Sequence, residues 1–168
     1  MKRLFCILLS TIILLSLCSC GESVNMGVLT EYQNGGFEAE LRLSIGGKEH
    51  FCSLTKSDGR FFLRLREMSS FTFVFDENGA GIISGDTEIP IGDAGMLPLY
   101  GVYGIFSAPV SGTWKIEKAR PGGVSLYICE GEGITLYIGA SSHLPLKIIS
   151  GSIEADVLSF KVTQNGDT

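Results

Sequence analysis

Residues 37–45 read Phe-Glu-Ala-Glu-Leu-Arg-Leu-Ser-Ile, an unbroken alternation of apolar and polar side chains. Because successive side chains of a β-strand point to opposite faces of its sheet, this alternation places every apolar residue of the stretch on one face. A strand of this kind is typical of an antiparallel sheet that packs one face on a core and turns the other to water. We therefore predict a mainly β fold built around this strand.

The same period of two recurs along the chain. Further candidate strands include the run around Phe51–Leu54, then Phe61–Arg66, Phe71–Asp76, Trp114–Lys118, Val124–Cys129, Ile134–Ile138, Leu146–Ser150 and Ile153–Val162. Glycine-rich turns separate many of these runs, and all 22 glycines lie beyond residue 20. About ten strands joined by short turns favour one large curved antiparallel sheet, a barrel, half-open or closed, or a sandwich.

The segment from Ala94 to Trp114 breaks the strand pattern, because it contains no charged residue over 21 positions. Its length alone would suit a membrane helix, but Pro98 and Pro109 leave room only for a short one. Four apolar residues inside it recur at helical spacing: Leu99, Val102, Tyr103 and Phe106. We predict a short helix over Met96–Phe106 that packs on the sheet.

A second, weaker helical pattern covers Val24–Gln33. There Val28, Leu29 and Tyr32 would lie along one side, while Gly27 lowers the helix propensity. This segment would precede the first strand.

The first residues have the order of a secretory signal: a charged start, an apolar run from Leu4 to Leu17, and small residues at the end. Leu17-Cys18-Ser19-Cys20 resembles the lipobox of bacterial lipoproteins. That resemblance implies cleavage before Cys20, a thioether-linked diacylglycerol on its sulfur and acylation of the new amino terminus. An ordinary signal peptide followed by free secretion is the alternative.

Loss of the signal changes the charge and the domain boundaries. Removing Lys2 and Arg3 from 13 basic residues leaves 11 against 18 acidic ones, a net charge of −7, which disfavours a nucleic-acid partner. The expected organisation is a signal peptide at 1–19, a lipidated tether at 20–31, one antiparallel β domain at 32–163 and a tail at 164–168. We expect an extracytoplasmic protein anchored by lipid to the cell membrane, or to the outer membrane of a cell that has one.

Two cysteines remain once the signal is removed and Cys20 carries lipid. Cys52 and Cys129 both lie in apolar, strand-like runs. Export permits a disulfide between them, and burial as two free thiols is the alternative.

Groups that carry catalysis or bind metals are few in the mature chain. His50 lies two residues before Cys52, but a metal site needs more ligands than this pair, so ordinary strand positions are expected. His143 lies in a loop, and Glu130 and Glu132 lie at a hairpin tip where carboxylates face water. We predict no enzymatic activity, no metal site and no cofactor.

A basic stripe on one strand leaves two interpretations open. Arg60, Arg64 and Arg66 could bind lipid phosphate or an acidic partner, or they could pair with acidic residues of the neighbouring strands. The glutamates considered for such pairing are Glu38, Glu40 and Glu49.

The elements also follow one another in a familiar order: an opening meander (Phe37–Ile91), a helix (Met96–Phe106), and closing strands around a Leu-Pro turn (Leu136–Ile138, His143–Ile148 and Val157–Phe160). From Tyr32 to Val162 this order resembles the LolA/LolB-like lipoprotein-carrier superfamily. The resemblance implies a half-open antiparallel barrel wrapped around short helices, with no enzymatic activity. It further implies an apolar concavity able to hold an acyl chain.

Two functions compete on this basis. The first is binding of a lipid or another apolar ligand in the concavity, where the contacts would come from Phe61, Phe71, Phe73, Leu99, Val102, Tyr103 and Phe106. The second is a non-enzymatic interaction or assembly module of the cell envelope, with a filled core and a protein partner. An empty concavity would favour the first function, and a filled one would favour the second.

Overall fold

The structure is a computed structural model that describes residues 24–92, 98–107 and 112–163. The predicted signal peptide, the lipobox cysteine Cys20 and the predicted tail at 164–168 lie outside these residues.

The described chain forms an antiparallel sheet of eleven strands that is not closed into a barrel. The strands are β1 (Gly36–Ile45), β2 (Lys48–Ser57), β3 (Arg60–Leu65), β4 (Thr72–Asp76), β5 (Gly79–Ser84), β6 (Thr87–Ile91), β7 (Lys115–Ala119), β8 (Leu126–Gly131), β9 (Ile134–Gly139), β10 (Pro145–Ser150) and β11 (Ile153–Thr163). Two short helices accompany them: α1 (Met26–Leu29) and α2 (Pro98–Ser107). The predicted mainly β fold with a single large sheet is thereby confirmed.

The strand order is β6-β5-β4-β3-β2-β1-β11-β10-β9-β8-β7. Two meanders, β1 to β6 and β7 to β11, are therefore joined by the long ladder between β1 and β11, in which Phe37 faces Val162 and Ile45 faces Ile153. Strands β6 and β7 are the two edges of the sheet.

Tight turns of the type predicted from glycine connect neighbouring strands. In the β2–β3 turn Asp58 and Gly59 have φ values of 50° and 77°, and in the β8–β9 turn Glu132 and Gly133 have 52° and 77°. Two consecutive residues with positive φ match the right-handed twist of a hairpin, and glycine adopts that conformation without strain.

The two edge strands carry different residues that oppose pairing with a further strand. Strand β6 is exposed over most of its length and contains Pro90, which has no amide hydrogen to offer a further strand. Strand β7 exposes the charged side chains of Lys115, Glu117 and Lys118.

Helix α2 packs on the inner face of the sheet, which is the face that carries the alternating apolar residues of β1. Its Val102 and Phe106 are fully buried, and the ring of Phe106 lies 6.0 Å from that of Phe37 on β1. The helix begins within two residues of the predicted Met96 and ends one residue after the predicted Phe106. The same buried cluster includes side chains from both meanders, so the sheet surrounds the helix on several sides.

Antiparallel connections sort the loops into two ends of the sheet. We call one end the mouth; it comprises the start of β1, the β2–β3 and β4–β5 turns, the β7–β8 connection, the β9–β10 loop and the ends of β6 and β11. The far end comprises the β3–β4 connection and the β1–β2, β5–β6, β8–β9 and β10–β11 turns. The described chain enters the fold at the mouth, because α1 directly precedes β1.

The segment before β1 differs from its prediction in two respects. Met26 and Leu29 are buried in the core, so the folded part begins before Tyr32, the predicted boundary between tether and domain. Val28 is 43% exposed, whereas Leu29 and Tyr32, which were predicted to lie along the same side of a helix, are buried. The reason is that α1 has only four residues and a 3-10 turn at Glu31–Asn34 follows it, so one helical period does not run through the segment.

Strands β5 and β6 were not identified individually from the sequence. Their glycines and Pro90 weaken the strand signal, yet every residue from Ala80 to Ser84 pairs with a residue of β6. Neither helix of the described chain is long and apolar enough to cross a membrane.

We expect Phe106→Ala to lower the free energy of unfolding by about 3 kcal/mol, because it leaves a cavity between α2 and β1. Urea denaturation of the two proteins, followed by circular dichroism, measures the difference. Val124→Ala is the control: Val124 is 57% exposed and its truncation should change stability by less than about 0.5 kcal/mol. Equal effects of the two substitutions would contradict the packing described for α2.

Candidate functional site

The residues predicted to bind an apolar ligand meet on the inner face, but most of them are core. Phe61, Val102 and Phe106 are at most 2% exposed, and Phe73 is 7% exposed. Leu99 and Tyr103 are partly buried and pack against the same cluster. Helix α2 thus lies in the concavity, as the carrier resemblance implied, but its predicted ligand residues pack against the sheet itself.

Aromatic contacts hold α2 in this position. The Tyr103 ring lies 5.1 Å from Phe61 on β3 in an edge-to-face arrangement and 5.9 Å from Phe75 on β4. The Phe37 ring stacks on Phe160 of β11 at 4.8 Å. Such pairs add stability beyond the area that they bury, so they fix the helix on β3 and β4. Phe37, which also contacts Phe106 of α2, links this cluster to β11.

Phe71 differs from the other predicted ligand residues, because it lies at the far end of the sheet and is 37% exposed. Directly opposed residues of an antiparallel sheet share a face, and Phe73 opposes Ile82, which in turn opposes Ile89 on β6. Ile89 is 54% exposed, so this apolar row leaves the core and reaches solvent at the sheet edge. Met68, 42% exposed, accepts a hydrogen bond from the Phe71 amide at its carbonyl oxygen. We call Met68, Phe71, Ile82 and Ile89 the edge patch.

A cavity of about 540 Å³ opens at the mouth, beside the carboxyl end of α2. Phe61, Tyr103 and Phe106 contribute its apolar floor, while its rim carries both positive and negative side chains, among them Lys56, Arg60, Asp58, Asp76 and Glu77. The cavity therefore combines a small apolar surface with a polar entrance.

Lys56 closes one side of this cavity. Its Nζ donates a hydrogen bond to the Gln33 carbonyl oxygen and lies 5.3 Å from the centre of the Phe61 ring. Partial burial lowers the pKa of Lys56 from its ordinary value. The side chain thus ties the segment before β1 to the inner face of the sheet.

A second groove of about 710 Å³ also lies at the mouth, between the segment that contains α1 and the β9–β10 loop. Its walls include Val28, Tyr32, His143, Leu144 and Val162. His143 has a positive φ of 53° and its ring lies 6.4 Å from that of Tyr127, as suits a loop residue.

The basic stripe on β3 finds partners other than the predicted ones. Arg60 Nη2 lies 2.6 Å from Glu88 Oε1 on β6, and its Nε lies 3.6 Å from Asp76 Oδ2 on β4. Pairing with Glu38 and Glu40 was wrong, because these residues lie on β1 and β2 separates that strand from β3.

The other two arginines of the stripe are also engaged. Arg64 donates two hydrogen bonds of 3.2 Å to Thr72 Oγ1 across the β3–β4 pair. Arg66 lies 5.1 Å from the centre of the Phe51 ring, a cation–π contact that takes the place of the predicted pairing with Glu49.

Two buried thiols lie on the inner face. Cys52 and Cys129 are both buried and free, and burial raises the pKa of Cys52 to about 12 and that of Cys129 to about 11. Among the residues that the structure describes, no three His, Cys, Asp or Glu side chains group as metal ligands. His50 and Cys52 share a strand face as predicted.

No protein-family model matches this sequence, and no curated protein matches it. Among solved structures, the chain is similar to MucB in the complex of Pseudomonas aeruginosa MucA and MucB, with a TM-score of 0.46 and 13% identity over 84% of this chain and 57% of that chain. For MucB in its own crystal structure the TM-score is 0.47 and the identity is 11%, over 84% of this chain and 59% of that chain. For PNGF-II the TM-score is 0.36 and the identity is 12%, over 79% of this chain and 28% of that chain. The chain spans less than three fifths of the MucB chains, and superposition at this level leaves its function open.

Because only the thiolate reacts, we expect Cys52 and Cys129 to resist Ellman's reagent at pH 8 in the folded protein. In guanidinium chloride both should react. An exposed cysteine introduced in the β5–β6 turn, Asp86→Cys, serves as the reactive control. Rapid labelling of the native thiols would contradict their burial, and no labelling after unfolding without reductant would show that they are bridged.

Proposed function

We propose that the chain is an extracytoplasmic lipoprotein, anchored through Cys20, that acts in the cell envelope as a non-enzymatic module binding another protein. The observation that carries this proposal is the filled inner face. A carrier needs a concavity that its ligand can enter, whereas here α2 and its aromatic contacts occupy that volume.

Opening the concavity for an acyl chain would require α2 to leave the sheet. Each fully buried large apolar side chain contributes about 1.5–3 kcal/mol relative to exposure. Val102, Ile105 and Phe106 of α2 would all lose this contribution, since each is at most 2% exposed. A filled, static core is therefore the favoured state of the module.

The edge patch is the surface that we assign to the protein partner. Its side chains continue the apolar row of the core into solvent. Exposed charged residues lie at the same end of the sheet: Glu67 directly precedes Met68, and Asp86 lies in the β5–β6 turn. An apolar centre with a charged border is the usual composition of a protein interface. The patch belongs to the far end and the β6 edge of the sheet, away from the segment through which the chain enters the fold.

A photo-crosslinking amino acid at Phe71 tests this surface in intact cells. We expect one reproducible protein adduct, lost when Ile89 is changed to glutamate because a charge then enters the apolar contact. Leu158 on β11 is 54% exposed, as Ile89 is, and supplies two controls. A crosslinker at position 158 is the control for the one at Phe71, and Leu158→Glu is the control for Ile89→Glu. An adduct that still forms after Ile89→Glu, or that forms equally from position 158, would show that the edge patch is not the surface that binds the partner.

A second function, binding of a small apolar ligand, is favoured by one observation only, the 540 Å³ cavity with its aromatic floor at the mouth. Such a ligand would lie partly in the cavity and partly in water, because the rim is polar. It would not reach Val102, which is fully buried.

Native mass spectrometry of the purified full-length protein separates the two functions. Because the concavity is filled, we expect the acylated polypeptide alone, with no further mass after incubation with phosphatidylethanolamine or palmitate. Stoichiometric uptake of either would favour the ligand-binding function instead. Bovine serum albumin, which binds palmitate, is the positive control, because it shows that a protein–palmitate complex stays intact in the mass spectrometer.

A further inference from the structure

The described chain begins at the mouth, close to the cysteine that carries the proposed anchor. Val24 already packs against the core, and Cys20 precedes it by four residues. Even fully extended, four residues span at most about 14 Å. Acyl chains on Cys20 would therefore hold Val24 within that distance of the membrane surface, and Val28, four residues further along the chain, lines the groove at the mouth.

The mouth exposes apolar side chains that the fold itself does not cover. Val28 is 43% exposed, Val162 is 45% exposed, and both line the groove of about 710 Å³ together with Leu144. Val124 is 57% exposed and belongs to the same end, because the amide of Ala140 in the β9–β10 loop donates a 3.1 Å hydrogen bond to the Ser125 carbonyl oxygen.

We propose that the mouth docks on the bilayer, with Val28, Val124 and Val162 in contact with the interfacial region of the lipid. The proposal rests on the lipid anchor at Cys20 in the proposed function, and it adds a second contact and a fixed orientation. The short span to Cys20 selects lipid as the occupant of this surface, because the anchor brings the bilayer to the mouth before any soluble partner arrives.

The anchor also explains why a small apolar surface suffices. Three valines would bind a membrane weakly on their own, but a tether of this length makes the contact intramolecular and raises the effective concentration of lipid at the mouth. A soluble form without acyl chains should accordingly show no affinity for vesicles.

Charge contributes little to this docking. Side chains of both charges lie at the mouth. The positive ones include Lys56, Arg60 and Arg120, and the negative ones include Glu31, Asp58 and Glu77. A surface of mixed charge gains little from anionic lipid, so the contact should depend on apolar burial.

Spin labels on full-length acylated protein in phosphatidylcholine vesicles test the orientation. Val124→Cys and Val162→Cys place a label at the mouth, whereas Asp86→Cys and Ser152→Cys place one in the turns of the far end. The native thiols Cys52 and Cys129 are buried, so labelling is confined to the introduced cysteine. The ratio of collision rates with oxygen and with an aqueous nickel complex reports the depth of each label.

We expect this ratio to be several-fold higher for both mouth labels than for both far-end labels, and unchanged when anionic phosphatidylglycerol is added. Equal ratios at the two ends would overturn the proposal. It would also be overturned by immersion that requires anionic lipid. Mouth labels that are equally shielded in protein without acyl chains, lipid or detergent would overturn it too, because they would indicate a second copy at the mouth.

A lengthened tether distinguishes docking from mere proximity. With twelve Gly-Ser residues inserted after Cys20, the labels at positions 124 and 162 should remain immersed if the valines bind lipid, and the further change Val28→Asp should release them. Release by the insertion alone would overturn the proposal. If the protein purified from cells that express the full sequence carries no acyl chains and does not float with vesicles, the anchor of the proposed function is refuted instead, so the two failures are separate.

Discussion

The seating of α2 on the inner face is the contact on which the rest of the structure depends. An open sheet of eleven strands presents one continuous apolar face, and no strand can cover it. Val102 and Phe106 cover its centre, and the close approach of the helix depends on Gly101, where a Cβ atom would lie 2.5 Å from Ile153 Cδ1. The helix thus converts two meanders joined by one ladder into a single core, and it removes the open concavity at the same time.

The sequence predicted the sheet well because its signal is local. Alternation in 37–45 identifies β1 to within one residue at its start, and the paired glycine turns locate the hairpins. Strands β5 and β6 were harder to find because Gly81 and Pro90 oppose each other there, and only pairing with β4 makes that stretch a sheet. The side of α1 that is buried was also missed, since a four-residue helix has no period to measure.

The candidate site shows a different limit. The spacing of Leu99, Val102, Tyr103 and Phe106 correctly identifies a helix with an apolar face, and that face does lie on the sheet. Periodicity states which side of an element is apolar but not what covers it, so the sequence left a lined cavity and a filled core equally open. Burial of Phe106 and the contacts of Tyr103 favour the filled core. Arg60 illustrates the same limit on the outer face, because its partner Glu88 is 28 residues away in sequence.

The unpaired edges of the sheet have a consequence for folding at high protein concentration. A strand with free amide and carbonyl groups is a template onto which other chains stack into fibrils. Pro90 interrupts that template on β6, and the exposed charged side chains of β7 disfavour the dry packing that a fibril needs. The protein can therefore fold at high local concentration without polymerising, and replacing Pro90 by valine would favour fibril formation.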